Sequence, residues 1–242
     1  MQPIIEIAKS LEISEEHVEL FGRDKAKIRL DALENARTKP TNGKLILVSA
    51  ITPTPAGEGK TTTSIGLAQG LRKIGQNAVL ALRQPSMGPV FGRKGGATGG
   101  GKCRLEPSDA INLQFTGDFH AITSAHNLIA ACIDNGLYFG TTTLDPQRVL
   151  WKRVMDMNDR SLRDIVTGLG GRSVGGSPRQ SGFDITAASE IMAILCLAES
   201  RADLRQRLDN ILIGYDKQNT PVHASELGIT GALMAILNEA IM

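Results

Sequence analysis

Between the apolar run Leu45-Ile46-Leu47-Val48 and the helically spaced Ser64-Ile65-Gly66-Leu67-Ala68 lies Thr52-Pro53-Thr54-Pro55-Ala56-Gly57-Glu58-Gly59-Lys60-Thr61-Thr62-Thr63. A strand, a glycine turn and a helix in that order build a phosphate cradle. Backbone N–H groups of the turn and the positive end of the helix converge on one point, Lys60 adds a cation, and Thr61 offers a hydroxyl to Mg²⁺. Against the pattern G-x-x-x-x-G-K-[ST], Gly59-Lys60-Thr61 fits, whereas Thr54 stands where the first glycine belongs and Pro53 and Pro55 stiffen the approach. The alternative is an ordinary glycine-rich turn with a surface lysine, which the flanking patterns disfavour. Glu58 is unusual in a loop meant for an anion and is expected to point outward, to solvent or to a second substrate.

The 242 residues suit one large domain or two small ones, and 41% hydrophobic content is enough for a buried core. A net charge of +2, from 27 basic and 25 acidic side chains, makes no field strong enough to imply nucleic acid or membrane partners. Phosphate-sized ligands are the natural ones. Cys103, Cys132 and Cys196 are scattered, without metal-ligand spacing, and are expected to be buried, reduced packing residues. Met1–Ser10 lacks the features of a signal peptide, and the longest apolar stretch, Ile191–Ala198, is far short of the ~20 residues a membrane span needs. A cytoplasmic location is expected.

Short helices are expected over Pro3–Leu11 and Ser14–Leu20, and a surface helix over Asp24–Ala36 before Thr38-Lys39-Pro40. After the turn Thr41-Asn42-Gly43, Lys44–Ala50 reads as a strand, Thr61–Ile74 as the helix of the phosphate turn, and Ala78–Leu82 as a second strand. That order implies a parallel sheet with a right-handed crossover. Arg83 would lie at the carboxyl edge of this sheet, where a guanidinium can grip phosphate, with Gln84 beside it. From Gly92 to Lys102 six of eleven residues are glycine, alongside Arg93, Lys94 and Lys102. Backbone this costly to order is expected where main chain approaches an anionic ligand, rather than in a linker.

Three blocks then become specific: Thr54–Thr61, Phe91–Gly101 and Phe115–Thr123. Together with Trp151–Arg160 and Gly182–Ala193 they resemble formate–tetrahydrofolate ligase, with similarity running from about residue 24 to the end. The resemblance implies ATP-dependent activation of formate to formyl phosphate and formyl transfer to N10 of tetrahydrofolate. Its cofactors and substrates would be ATP with Mg²⁺, formate and tetrahydrofolate, with no nucleic acid or membrane partner. It also implies homo-oligomers, a response to monovalent cations, and longer family members, so that this chain is expected to be an amino-terminal portion.

By the same resemblance Lys60 would contact the transferred phosphoryl group and Arg83 would steady formyl phosphate. Thr54, Pro55, Ala56, Gly57, Glu58, Gly59, Lys60 and Thr61 would hold ATP, with Thr61 on Mg²⁺. Gln84, Lys94, Gly95, Gly96, Gly99, Gly100, Asp118 and His120 would line the substrate region. The family commonly carries glutamate in place of Gln84 and tyrosine in place of Lys102.

Asp118 and His120 are candidates for acid and base work, His120 equally for a hydrogen bond inside a packed helix start, because Ala121–Ile133 reads as a buried helix. Arg148–Asp164 reads as a solvated or interdomain helix, and Gly168–Ser181 as a mobile surface loop whose Arg172 and Arg179 could touch phosphate or the glutamate tail of a folate, a plain exposed loop being the favoured reading. The expected architecture is α/β: a P-loop-containing parallel sheet flanked by helices over 1–103, and a second α/β lobe over 104–242. Two rivals remain, a P-loop ATPase switch and a catalytically inactive nucleotide-binding fragment.

Overall fold

The computed structural model describes the chain apart from residues 34–42, 55–56, 93–95, 172 and 174–175. It is a mixed α/β protein with parallel and antiparallel strand pairs, divided into two compact units, Met1–Thr116 and Gly117–Ile241. The break falls at Thr116–Gly117 rather than at 103/104, because residues on both sides of 103/104 belong to one hairpin on the first unit's long helix.

In the first unit, α1 (Ile4–Ser10) leads through a 3₁₀ turn at Glu15–His17 into an antiparallel pair, β1 (Val18–Leu20) with β2 (Ala26–Ile28). These strands replace the helices expected over 14–20 and at the start of 24–36; of the latter, residues 31–33 are helical and 34–36 lie outside the described residues. Helix α2 (Lys60–Lys73) follows the glycine turn as expected. Beyond it come α3 (Met87–Val90), the two-residue strands β3 (Gly99–Gly100) and β4 (Cys103–Arg104), and α4 (Ser108–Asn112).

The strands anticipated at 44–50 and 78–82 do not form a ladder among the described residues. A strand exists by pairing its N–H and C=O groups with a neighbour, and here Leu45, Leu47 and Val79 stand 98%, 84% and 70% exposed. The apolar run is real, but the described residues leave it uncovered.

The second unit is organised around α5 (Asp118–Phe139), whose Ile122, Ala125, His126, Ile129, Ala130, Ile133 and Gly136 repeat at three- and four-residue steps and are buried. Gly117 and Gly140 bracket it in left-handed backbone, with φ of 88° and 69°. Around it lie β5 (Leu144–Val149), β6 (Arg153–Met155), β7 (Ile165–Thr167), β8 (Arg179–Ser181) and β9 (Phe183–Ile185). They are followed by α6 (Glu190–Leu197), α7 (Arg201–Asp209), β10 (Leu212–Asp216), β11 (Pro221–His223) and α8 (Thr230–Ile236). One sheet runs β11-β10-β5, antiparallel throughout; β6 pairs with β9 in parallel and β7 with β8 antiparallel. Ile129, Ile133, Ile191, Leu208, Ile213 and Leu233 lie in one buried cluster.

Three expectations are corrected here. Arg148–Asp164 is not a solvated helix: Trp151 and Val154 are buried, and residues 151–154 are fastened in turn to α5. The Trp151 indole donates to the His126 carbonyl at 3.1 Å, and the Lys152 carbonyl accepts from the His126 ring at 3.1 Å. Arg153 pairs with Asp134, and Val154 exchanges two 3.0 Å bonds with the Asn127 amide. Gly168–Ser181 is likewise not simply a mobile loop, since it runs into β8, where Arg179 is buried and paired with Asp134. Arg172 lies outside the described residues. The thiols are free, but Cys103 and Cys132 are only half-buried and Cys196 is exposed, so the expectation of three buried cysteines is corrected too.

Candidate nucleotide site

The turn ahead of α2 is shaped by Gly57 and Gly59, with φ of +80° and +70°. A Cβ at either position would meet nothing within 4 Å, so the dihedral, not crowding, calls for glycine. Gly57 N–H closes on the Thr54 carbonyl at 3.1 Å, and the helical ladder starts with Thr63 N–H on the Gly59 carbonyl at 2.9 Å. The N–H groups of Lys60, Thr61 and Thr62 therefore precede the ladder at the positive end of a 14-residue helix. Neither an acidic residue in the first turn nor a side-chain cap answers them. Thr61 is half-buried there, and Ser64 Oγ donates to the Lys60 carbonyl at 2.9 Å.

Glu58 does not point outward. Its side chain is 17% exposed and turned back into the loop, where one oxygen accepts the Thr54 N–H and the other meets the Lys60 ammonium. The lysine and the N–H together hold its carboxyl down to about 2, so it is charged at any physiological pH. Pro55 and Ala56 lie outside the described residues.

The glycine-rich segment is drawn onto the same helix. Gly99 (φ +86°) comes so near that a Cβ would stand 2.0 Å from the Cys103 carbonyl and 2.8 Å from Ile65 of α2. Asn112 pins the segment, its Oδ1 accepting the Ala97 N–H at 2.9 Å and its amide donating to Thr98 Oγ1 at 3.2 Å. A Cβ on Gly96 would strike that amide at 2.5 Å. Gly100 is exposed with open space around it, and Lys94 and Gly95 lie outside the described residues. Close backbone packing thus explains Gly96 and Gly99 by itself. Asn112 was missed in the sequence, where a lone amide in a short helix carries no signal.

Arg83 is exposed. Gln84 is half-buried, and its Nε2 is buried without a hydrogen-bond partner among the described residues. Asp118 and His120 belong to the second unit, in the first turn of α5, with His120 exposed rather than packed. Among the described residues no three His, Cys, Asp or Glu side chains gather as metal ligands, and no helix is long and apolar enough to cross a membrane.

A family model described as formate–tetrahydrofolate ligase matches residues 1–242. A formate–tetrahydrofolate ligase of Syntrophus aciditrophicus (strain SB) is 54% identical over 243 residues, which take in 100% of this chain and 43% of the relative. The chain thus spans less than half the length of that relative.

Proposed function

Because the chain belongs to the formate–tetrahydrofolate ligase family, we propose that it serves the ATP-dependent ligation of formate to tetrahydrofolate, with the turn ahead of α2 as a P-loop nucleotide site. The observation that carries this reading is a helix start at Lys60, after a turn with two left-handed glycines, whose first three N–H groups precede the helical ladder without a side-chain cap.

In the reaction a formate oxygen attacks the γ-phosphorus of ATP and ADP leaves. N10 of tetrahydrofolate then attacks the formyl carbon, phosphate departs and the amine proton is lost. Phosphoryl transfer asks little covalent work of the protein, only placement and positive charge around the spreading negative charge. Lys60 supplies that charge at the transferred group, and the helix start orients the phosphates. Arg83, which is exposed, is the cation that steadies formyl phosphate in this reading. Gln84 brings an unpaired buried donor to the neighbouring position; it can hydrogen bond a substrate oxygen but, unlike a carboxylate, cannot take up a proton.

Mg²⁺ takes oxygen ligands and usually keeps waters and substrate phosphates; the Thr61 hydroxyl would be one such ligand, and the ion would neutralise phosphate charge. Homo-oligomers, a monovalent cation and a cytoplasmic setting belong to the same reading.

The test is formation of 10-formyltetrahydrofolate from Mg-ATP, formate and tetrahydrofolate by the purified chain and by Lys60→Ala. Product that falls about 10²-fold or more in the variant is expected. Lys60-dependent ATP binding without product would instead support a nucleotide-binding fragment, and formate-independent hydrolysis an ATPase switch. Activity indifferent to Lys60 would overturn the site.

A further inference from the structure

Glu58 is the anomaly of the loop, an acidic residue in the one place that should attract an anion. Its carboxylate already occupies one of the groups a phosphate would take, the Lys60 ammonium, and accepts the Thr54 N–H besides. It stands between two left-handed glycines, and both have open space where a side chain would be. Glu58 is thus flanked on both sides by residues whose backbone conformation is open to glycine and strained for other residues.

We propose that the Glu58 carboxylate is an internal stand-in for phosphate, which neutralises Lys60 in the empty loop and is displaced when a nucleotide arrives, so that Glu58 sets nucleotide affinity. This rests on the phosphate-site reading above. A tethered carboxylate competes at a high effective concentration, which a weakly bound single-charged anion cannot match. A nucleotide triphosphate can, because it brings several charges, meets the N–H groups at the start of α2, and repels the carboxylate as it enters. Lys60 then passes from one anion to another and is never left without a counter-charge.

The experiment is calorimetric titration with Mg-ATP of the wild-type chain, Glu58→Gln, Lys60→Ala and the double variant. Glutamine keeps an acceptor for the Thr54 N–H and loses only the competing charge, so binding is expected to tighten about three- to tenfold. That gain should shrink in the Lys60→Ala background, where there is no ammonium to compete for. Glu58→Asp, which keeps the charge on a shorter arm, should tighten binding less and serves as the second variant if the glutamine chain folds poorly. Unchanged or weaker binding in Glu58→Gln would overturn the inference, leaving Glu58 as a brace for the loop. Failure of the wild-type chain to bind Mg-ATP, or binding equal in Lys60→Ala, would bring down the phosphate-site reading and the inference with it.

Discussion

His126 shows what burial does to a single titratable group. Its ring lies on Trp151 with centroids 4.1 Å apart, and its Nε2–H donates to the Lys152 carbonyl. That leaves Nδ1 to accept from the Ser189 hydroxyl at 2.8 Å, and Ser189 in turn caps α6 by accepting the Ile191 N–H at 3.2 Å. Burial lowers the imidazole from 6.5 to about 4, with the Lys152 carbonyl and the charge of Asp184 pulling weakly the other way. The unfolded chain therefore binds the extra proton between those two values. The stability contributed by neutral His126 is full above about pH 6.5, drains away as the pH falls, and is gone below about 4, a loss of about 3 kcal/mol in all. Urea unfolding followed from pH 7.5 to 4.5 should show this slope, and His126→Gln should flatten it. A Ser–His pair of this kind looks catalytic on paper, but both ring nitrogens are committed to holding 152 and 189 in place.

Among the elements, the hairpin of β3 and β4 is the most intolerant. Gly99→Ala would force a Cβ against the Cys103 carbonyl in a backbone region closed to alanine, at a cost of roughly 1–3 kcal/mol or more. A lowered unfolding midpoint for the first unit, together with weaker Mg-ATP binding at the adjoining α2, is the expected result; an unaltered midpoint would show that the hairpin relaxes freely. How much could be read in advance varied by element. Helix α5 announces itself, since its buried positions recur at helical spacing between two glycines. Strand β6 does not: three residues are too few to display alternation, and the charges of Lys152, Arg153 and Asp156 imitate a solvated helix. Its hydrogen bonds come in part from the side chain of Asn127, a partner that no local pattern could nominate.

Across the whole molecule the buried apolar residues are unevenly shared. Those of the first unit are Ala8 and Ile65 among the described residues, whereas the second holds the large cluster around Ile129, Ile133 and Leu208. Hydrogen exchange read by mass spectrometry should therefore find its slowest amides in α5 and β10 and rapid exchange over 43–54 and 76–86, because opening costs little where little apolar surface is exposed by it. Equal protection in both units would contradict this. The glycine turn, the helix that follows it, the long helix of the second unit and the family resemblance were all legible in the chain, because positive φ, helical period and motif residues are written in neighbouring positions. The pairing of Asp134 with arginines 19 and 45 positions away, the grip of Asn112 on the glycine segment, and the lack of a strand partner for 44–50 among the described residues belong to the folded state. Each depends on which distant segments meet, and that is settled by packing and topology rather than by any local run of residues.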